Sequence, residues 1–182
     1  YELLGQMAAS VEPGSDRLLF APWLSGERAP VLDHYARGAW LGISLSHSKA
    51  HFTRAVMEGV AYHLRWIIEA LGAKQLPVGA MNAIGGGSTS PVWTQIISDV
   101  TGRELRVVKN ALEAGATGAA LAVAVGLGVY PGVESLDDLI EFSHVVRPDE
   151  RNQVRYDQLY QVYRQAYQAL TPIHHQLHAV QP

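Results

Sequence analysis

The sequence predicts an α/β fold, a mixed sheet flanked by helices, and three observations carry that expectation. Short apolar runs alternate with longer segments of helical period along the 182 residues. A triple glycine, Gly85 to Gly87, stands where one apolar run gives way to a helical segment. Proline and glycine punctuate that segment: Pro91 falls in its first turn, where a missing N–H costs nothing, and Gly102 at its end.

Taken in order, residues 1–11 (YELLGQMAASV) read as a helix already in progress, so the chain is expected to be a piece of a longer protein. Residues 17–24 predict a strand, 25–37 a polar loop and 39–45 a second short strand. Residues 48–71 carry the clearest helical period. Phe52, Val56, Gly59 with Val60, His63 with Leu64, Ile67 and Leu71 recur every three or four positions as one apolar stripe. Arg54 with Glu58, and Arg65 with Glu69, are spaced to pair along the helix surface. Residues 81–84 predict a buried-type strand, 90–100 a helix, 105–108 a strand and 114–125 a helix of small residues. Residues 135–142 read as a short helix with Ser135 as cap and Asp138 three residues on. From Asn152 a long final helix is expected, bent at Pro172.

Composition narrows the function classes. Apolar residues make up 48% and charged residues 17%, which suits a globular domain with a substantial core. The net charge of −3 supplies no basic field for nucleic acid or an anionic membrane. With no cysteine there is neither a disulfide scaffold nor a thiolate zinc site, and a reducing cytoplasm is the compartment expected. Residues 111–133 are apolar enough to suggest a membrane span, but they include Glu113 and end in a Gly/Pro-rich tail. Their uninterrupted apolar part falls short of the roughly 20 residues a span requires. Close burial of that helix within the domain is expected instead.

The glycines at 85–87 pose a chemical question. Glycine costs backbone entropy, so the position needs either unusual φ or a close approach. A helix N-terminus offers unpaired N–H groups and the positive end of the dipole, which suit a phosphate, and Ser88 and Ser90 add hydroxyls. A tight strand-to-helix turn with nothing bound explains the same residues. The spacing is neither G-x-G-x-x-G nor a Walker motif.

Longer motifs break that balance. GERAP at 26–30 is followed by ARGAWLGISLSHSKAHFTRAVMEGVAY at 36–62. In the latter, Gly38, Trp40, Gly42, Ile43, His51, Phe52, Ala55, Val56, Met57 and Glu58 fall in order. AIGGGSTSPVWTQIISDVTG and EAGATGAALAVAVGLG follow. These four segments resemble, in sequence and order, the FGGY carbohydrate kinases, and the stretches around 25–38 and 58–71 look most like the xylulose kinase branch. Gluconate and other FGGY kinases share GERAP.

The resemblance implies that residues 1–182 are the C-terminal, nucleotide-binding domain of a sugar kinase. Its fold would be the ribonuclease-H-like one shared with actin and hexokinase. The N-terminal half, with the catalytic aspartate, the first phosphate loop and most sugar contacts, would lie outside this chain. No catalytic base is assigned here, and the fragment alone is expected to be inactive. ATP and Mg²⁺ are the implied cofactors, and a small sugar, most closely D-xylulose, the acceptor; gluconate, ribulose and glycerol are the alternatives. Gly86 and Gly87 would line the nucleotide through backbone, with Ser88 and Ser90 beside them. Gly42 and Ser44 match a turn that approaches the terminal phosphates, and Glu27 and Arg28 match a loop facing the cleft. For each of these the plainer readings, a tight turn or a loop ion pair, remain open. So do two other classes, a non-catalytic module of the actin-like superfamily and a dinucleotide-binding half-domain. A homodimer is compatible with the sequence.

Two further patterns read as structural. Tyr156, Tyr160, Tyr163 and Tyr167 form a packing stripe. His174 and His178 are spaced to chelate, but without a third ligand no metal is assigned. Asp99 is expected to hydrogen-bond locally.

Overall fold

The computed structural model describes residues 2–180. Its elements are α1 (Glu2–Ala9), β1 (Leu19–Ala21), β2 (Ala39–Leu41), α2 (Lys49–Ala73), β3 (Met81–Ala83), α3 (Pro91–Thr101), β4 (Leu105–Val108), α4 (Ala114–Gly126), β5 (Phe142–Val146) and α5 (Glu150–Ala179). The strands divide into two sheets. β1 and β2 form an antiparallel ribbon, while β3, β4 and β5 form a mixed sheet in which β3 runs parallel and β5 antiparallel to β4.

The core gathers around α2, which packs against α1, β1 and α3, while α5 closes over α3 and β1. The tyrosine stripe of α5 is buried throughout: Tyr156, Tyr160 and Tyr163 are at most 1% exposed and Tyr167 is 7%. These rings meet Tyr62 and Trp66 of α2 and Trp23 after β1. Each aromatic side chain buries roughly 150–250 Å², so at about 25 cal/mol per Å² the stripe is the main force holding α5 in place. Asp99 does bond within its own helix, to Gln95, but it also accepts from the Asp149 N–H and the Asn152 amide, pinning the start of α5 to α3.

Several expectations are corrected. The buried face of α2 is Ala55, Glu58, Gly59, Tyr62 and Trp66, and Val56 of the expected stripe is 37% exposed. The two aromatic rings carry more area than the aliphatic stripe and set the rotation. Arg54 and Glu58 therefore pair inside the protein, not on its surface. The first strand is shorter than expected, starting only at Leu19 because residues 15–17 take left-handed backbone angles, and the second ends at Leu41, before the left-handed Gly42. β3 is only half-buried, having a partner on one side alone. Residues 133–139 are a 3₁₀ stretch, and the chain from Phe142 to Val146 is a strand, its valines and Phe142 serving the ladder to β4. α5 begins earlier, at Glu150 with Asp149 as cap, and runs on through Pro172.

The largest departure is α4. Close burial was expected, but none of its residues is buried. It is apolar on every side, and its main neighbours are the 3₁₀ turns Ala111–Glu113 and Val133–Leu139. A helix apolar all round needs cover on more than one face, and the described residues do not supply it. Among them no helix is long and apolar enough to cross a membrane.

Candidate functional site

β3 and β4 are parallel, so both end at the same edge of the mixed sheet, the edge where α/β sheets hold ligands. The chain leaves β3 through Gly85 and the 3₁₀ turn Gly86–Thr89 into α3, and leaves β4 through residues 109–113 into α4. The Gly85 N–H donates to the Ala111 carbonyl at 2.8 Å and ties the two exits together. Between them opens a cavity of about 490 Å³ whose walls include Ser88, Thr89, Asn110, Glu113, Ser143 and His144.

The three glycines serve three different needs. Gly85 has φ 78°, which an L side chain adopts only under strain. Gly87 faces the Trp93 ring, and a Cβ there would lie 2.8 Å from it. Gly86 has neither constraint, since a Cβ on it would meet nothing within 4 Å. Of the three, only Gly86 has no structural reason to be glycine. Ser88 is buried and donates its hydroxyl to the Gly85 carbonyl at 2.7 Å. Ser90 accepts from the Trp93 N–H as the N-cap of α3, so its hydroxyl already has a structural task.

The third wall was not foreseen. Ser143 and His144 reach it from β5, with the Ser143 hydroxyl donating to the Val107 carbonyl at 3.2 Å and lying 3.0 Å from His144 Nδ1. Reading 135–142 as a helix hid this strand; the β-branched pair Val145 and Val146 was the available signal. Lys109 and Asn110 were also missed. Asn110 has φ 56°, and asparagine is among the residues that tolerate that region.

Of the expected site residues only Ser88 lines this cavity; Gly86, Gly87 and Ser90 stand in the turn beside it, and Gly42, Ser44, Glu27 and Arg28 are not on its walls. Gly42 has φ 78°, and a Cβ on it would lie 2.8 Å from the Arg17 carbonyl, so its turn alone requires glycine. Ser44 is exposed, its N–H donating to His47 Nδ1 at 3.0 Å. Glu27 is tied down locally: one carboxylate oxygen accepts from the Arg28 and Ala29 N–H groups, and the other meets His63 Nε2 at 3.0 Å. Backbone pairing of Glu27 with Asp33 closes the same loop. Burial pushes the Asp33 carboxyl up, but donors from Tyr35, His175 and Ala36 outweigh it and hold the pKa below the usual value. A second cavity, about 880 Å³, lies between residues 10–19 and α5, with Asp16, Arg17, His51 and Arg155 on its walls. His174 is buried against Trp23 while His178 stacks on Tyr35, and the described residues bring no three metal-ligating groups together.

A mixed sheet with helices at its face and a cavity at the ends of its parallel strands, beside a glycine turn, defines an α/β domain with a candidate small-ligand site. The family follows from comparison. The profile described as "FGGY family of carbohydrate kinases, C-terminal domain" matches residues 1–127, and the chain belongs to that family. A xylulose kinase of Staphylococcus epidermidis is 36% identical over 168 residues, covering 92% of this chain and 34% of its own length. A gluconokinase of Bacillus subtilis is 35% identical over 164 residues, covering 90% and 32%. The crystal structure of xylulose kinase from Rhodospirillum rubrum superposes with a TM-score of 0.81 at 33% identity, covering 96% of this chain and 35% of that one. The fold is thus that of the FGGY sugar kinases, the actin- and hexokinase-like one. The chain spans about a third of the relatives it matches, so more lies outside it in those proteins than the half expected.

Proposed function

We propose that residues 1–182 form the nucleotide-binding part of a longer sugar kinase that transfers the ATP γ-phosphate to a sugar hydroxyl. The observation that carries this reading is the cavity at the ends of β3 and β4, beside the turn in which Gly86, alone of the three glycines, has neither a left-handed φ nor a close neighbour to require it. The adenosine end of ATP would lie there against the backbone of residues 85–88. Gly42 and Ser44 would meet the terminal phosphates once the rest of the enzyme closes over them. Phosphoryl transfer is mostly positioning and charge stabilisation, so a domain without a catalytic base still has a full share of the work.

Mg²⁺ would travel with ATP. Among the described residues Glu113 is the one carboxylate on the cavity wall, and no set of three or more metal-ligating side chains is gathered. Its protein ligands belong to the remainder of the enzyme, as do the base and most sugar contacts. D-Xylulose is the acceptor we favour, because xylulose kinases of Staphylococcus epidermidis and Rhodospirillum rubrum are among the relatives. Gluconate is the runner-up. The setting is the cytoplasm, where ATP is available. ADP release by the full-length enzyme, measured with xylulose, gluconate, ribulose and glycerol in turn, tests the reading. Turnover is expected with xylulose and not with the isolated 182 residues. Absence of turnover with every sugar, or steady turnover by the fragment, refutes it.

A further inference from the structure

Ser44 sits on the turn between β2 and α2, beside a stretch of unusual backbone. Ser15, Asp16 and Arg17 are consecutive residues with φ of 48°, 48° and 68°. Non-glycine residues persist there only when their surroundings hold them. Glu58 provides part of that hold, accepting the Gly14 N–H at 2.8 Å and the Ser15 hydroxyl at 2.7 Å. On the other side the Arg17 carbonyl comes close enough to Gly42 to exclude a Cβ.

One imidazole joins the two segments. The His47 side chain is 1% exposed, although its own turn is on the surface. Its Nδ1 accepts the Ser44 N–H at 3.0 Å, which places the ring proton on Nε2. Nε2 then donates to the Asp16 carbonyl at 3.2 Å. Both nitrogens are committed, and each to backbone. The Asp16 carboxylate lies 3.9 Å from Nε2 and is itself held by Arg17; the His51 and Phe52 rings stand 5.4 and 6.5 Å from the imidazole centre. The ring thus links a fixed buried anchor, Glu58, through the left-handed turn to the backbone of the exposed Ser44 turn.

We propose that His47 is a positioning residue, which holds the Ser44 turn in the orientation that meets the terminal phosphates of ATP. The proposal rests on the reading that this turn faces those phosphates.

Two amide substitutions separate the roles of the two nitrogens. In His47→Asn the short side chain offers an oxygen near the Nδ1 position and keeps an acceptor for Ser44, while losing Asp16. In His47→Gln the longer side chain keeps a donor for Asp16 and loses the Ser44 acceptor. In the full-length enzyme, ADP release is measured against ATP and against sugar, with a melting curve for each variant. His47→Gln and His47→Ala are expected to lower kcat about 10- to 100-fold, the range for an ångström-scale misplacement. The KM for sugar should stay at the wild-type value. His47→Asn is expected to keep kcat within about threefold of wild type, because its oxygen holds the N–H that matters. Equal losses in the Asn and Gln variants, or a wild-type kcat in the folded fraction of His47→Ala, overturn the positioning role. A wild type without turnover overturns the kinase reading, and this proposal with it.

Discussion

Replacing Glu58 by alanine would be among the most damaging single changes available to this fold. Its carboxylate is 1% exposed and accepts four donors: the Gly14 N–H (2.8 Å), the Ser15 hydroxyl (2.7 Å), Arg54 Nε (2.7 Å) and the Tyr156 hydroxyl (2.9 Å). Arg54 is buried with it and donates further to the Ala8 and Val11 carbonyls and to Tyr156. Burial by itself lowers the guanidinium pKa, but Tyr156 and Glu58 outweigh that and raise it, so Arg54 stays charged. Glu58→Ala removes the only carboxylate among the described residues bonded to that buried cation and strands the donors of Gly14 and Ser15. Breaking such a pair from one side costs about 3–5 kcal/mol, a large part of the roughly 5–15 kcal/mol that holds a domain together. Glu58→Gln keeps an acceptor oxygen but turns an amide NH₂ toward other donors, for a loss of about 1–3 kcal/mol. Urea unfolding followed by circular dichroism measures both through the midpoint shift at constant slope. A loss below about 1 kcal/mol for Glu58→Ala would refute the reasoning, since no buried, uncompensated cation could then have been created.

Three other outcomes follow from the same structure. Gly86→Val should melt like the wild type yet raise the ATP KM about tenfold or more, whereas Gly87→Val should lose stability against the Trp93 ring; thermal melting and nucleotide titration on both variants decide it. Burial pushes the His174 pKa below its usual 6.5, and its ring has no hydrogen-bond partner among the described residues. The unfolded chain therefore binds more protons between the folded and unfolded values, so the stability His174 contributes is full above pH 6.5 and declines as pH falls through the depressed value. Melting of wild type and His174→Leu across that window should show the wild type more acid-sensitive, and parallel curves would contradict it. Finally, Val123 and Leu127 stand 61% and 77% exposed on and after α4, so the isolated chain should self-associate and bind an apolar dye. Val123→Lys should relieve both, and light scattering with dye fluorescence would show whether it does.

The sequence made legible what local chemistry determines. Pro91 and Gly102 bracket α3 as expected, and the tyrosine stripe of α5 lies inside. It was silent where tertiary contacts decide. Arg54–Glu58 and Arg65–Glu69 have the same spacing, yet one pair is buried with Tyr156 and the other lies near the surface. Nothing local distinguishes them, because the difference arises from which face of α2 meets α1 and β1. β5 was lost because FSHVV is short and follows an acidic, helix-like stretch, and its pairing with β4 is a long-range fact. At the site, the position of the glycine run was legible and its division of labour was not. Only the space around each Cβ separates Gly86 from its neighbours.

The most direct test of the account is to ask where the adenine nucleotide touches this chain. A photoreactive azido-adenine analogue of ATP, bound to the full-length enzyme and competed by ATP, would be cross-linked and the labelled peptide mapped. The account predicts label within residues 107–113 or 143–144, or on the turn 84–91 that borders the same cavity at the ends of β3 and β4. Competable label on residues 10–19 or on α5, around the second cavity, would contradict it.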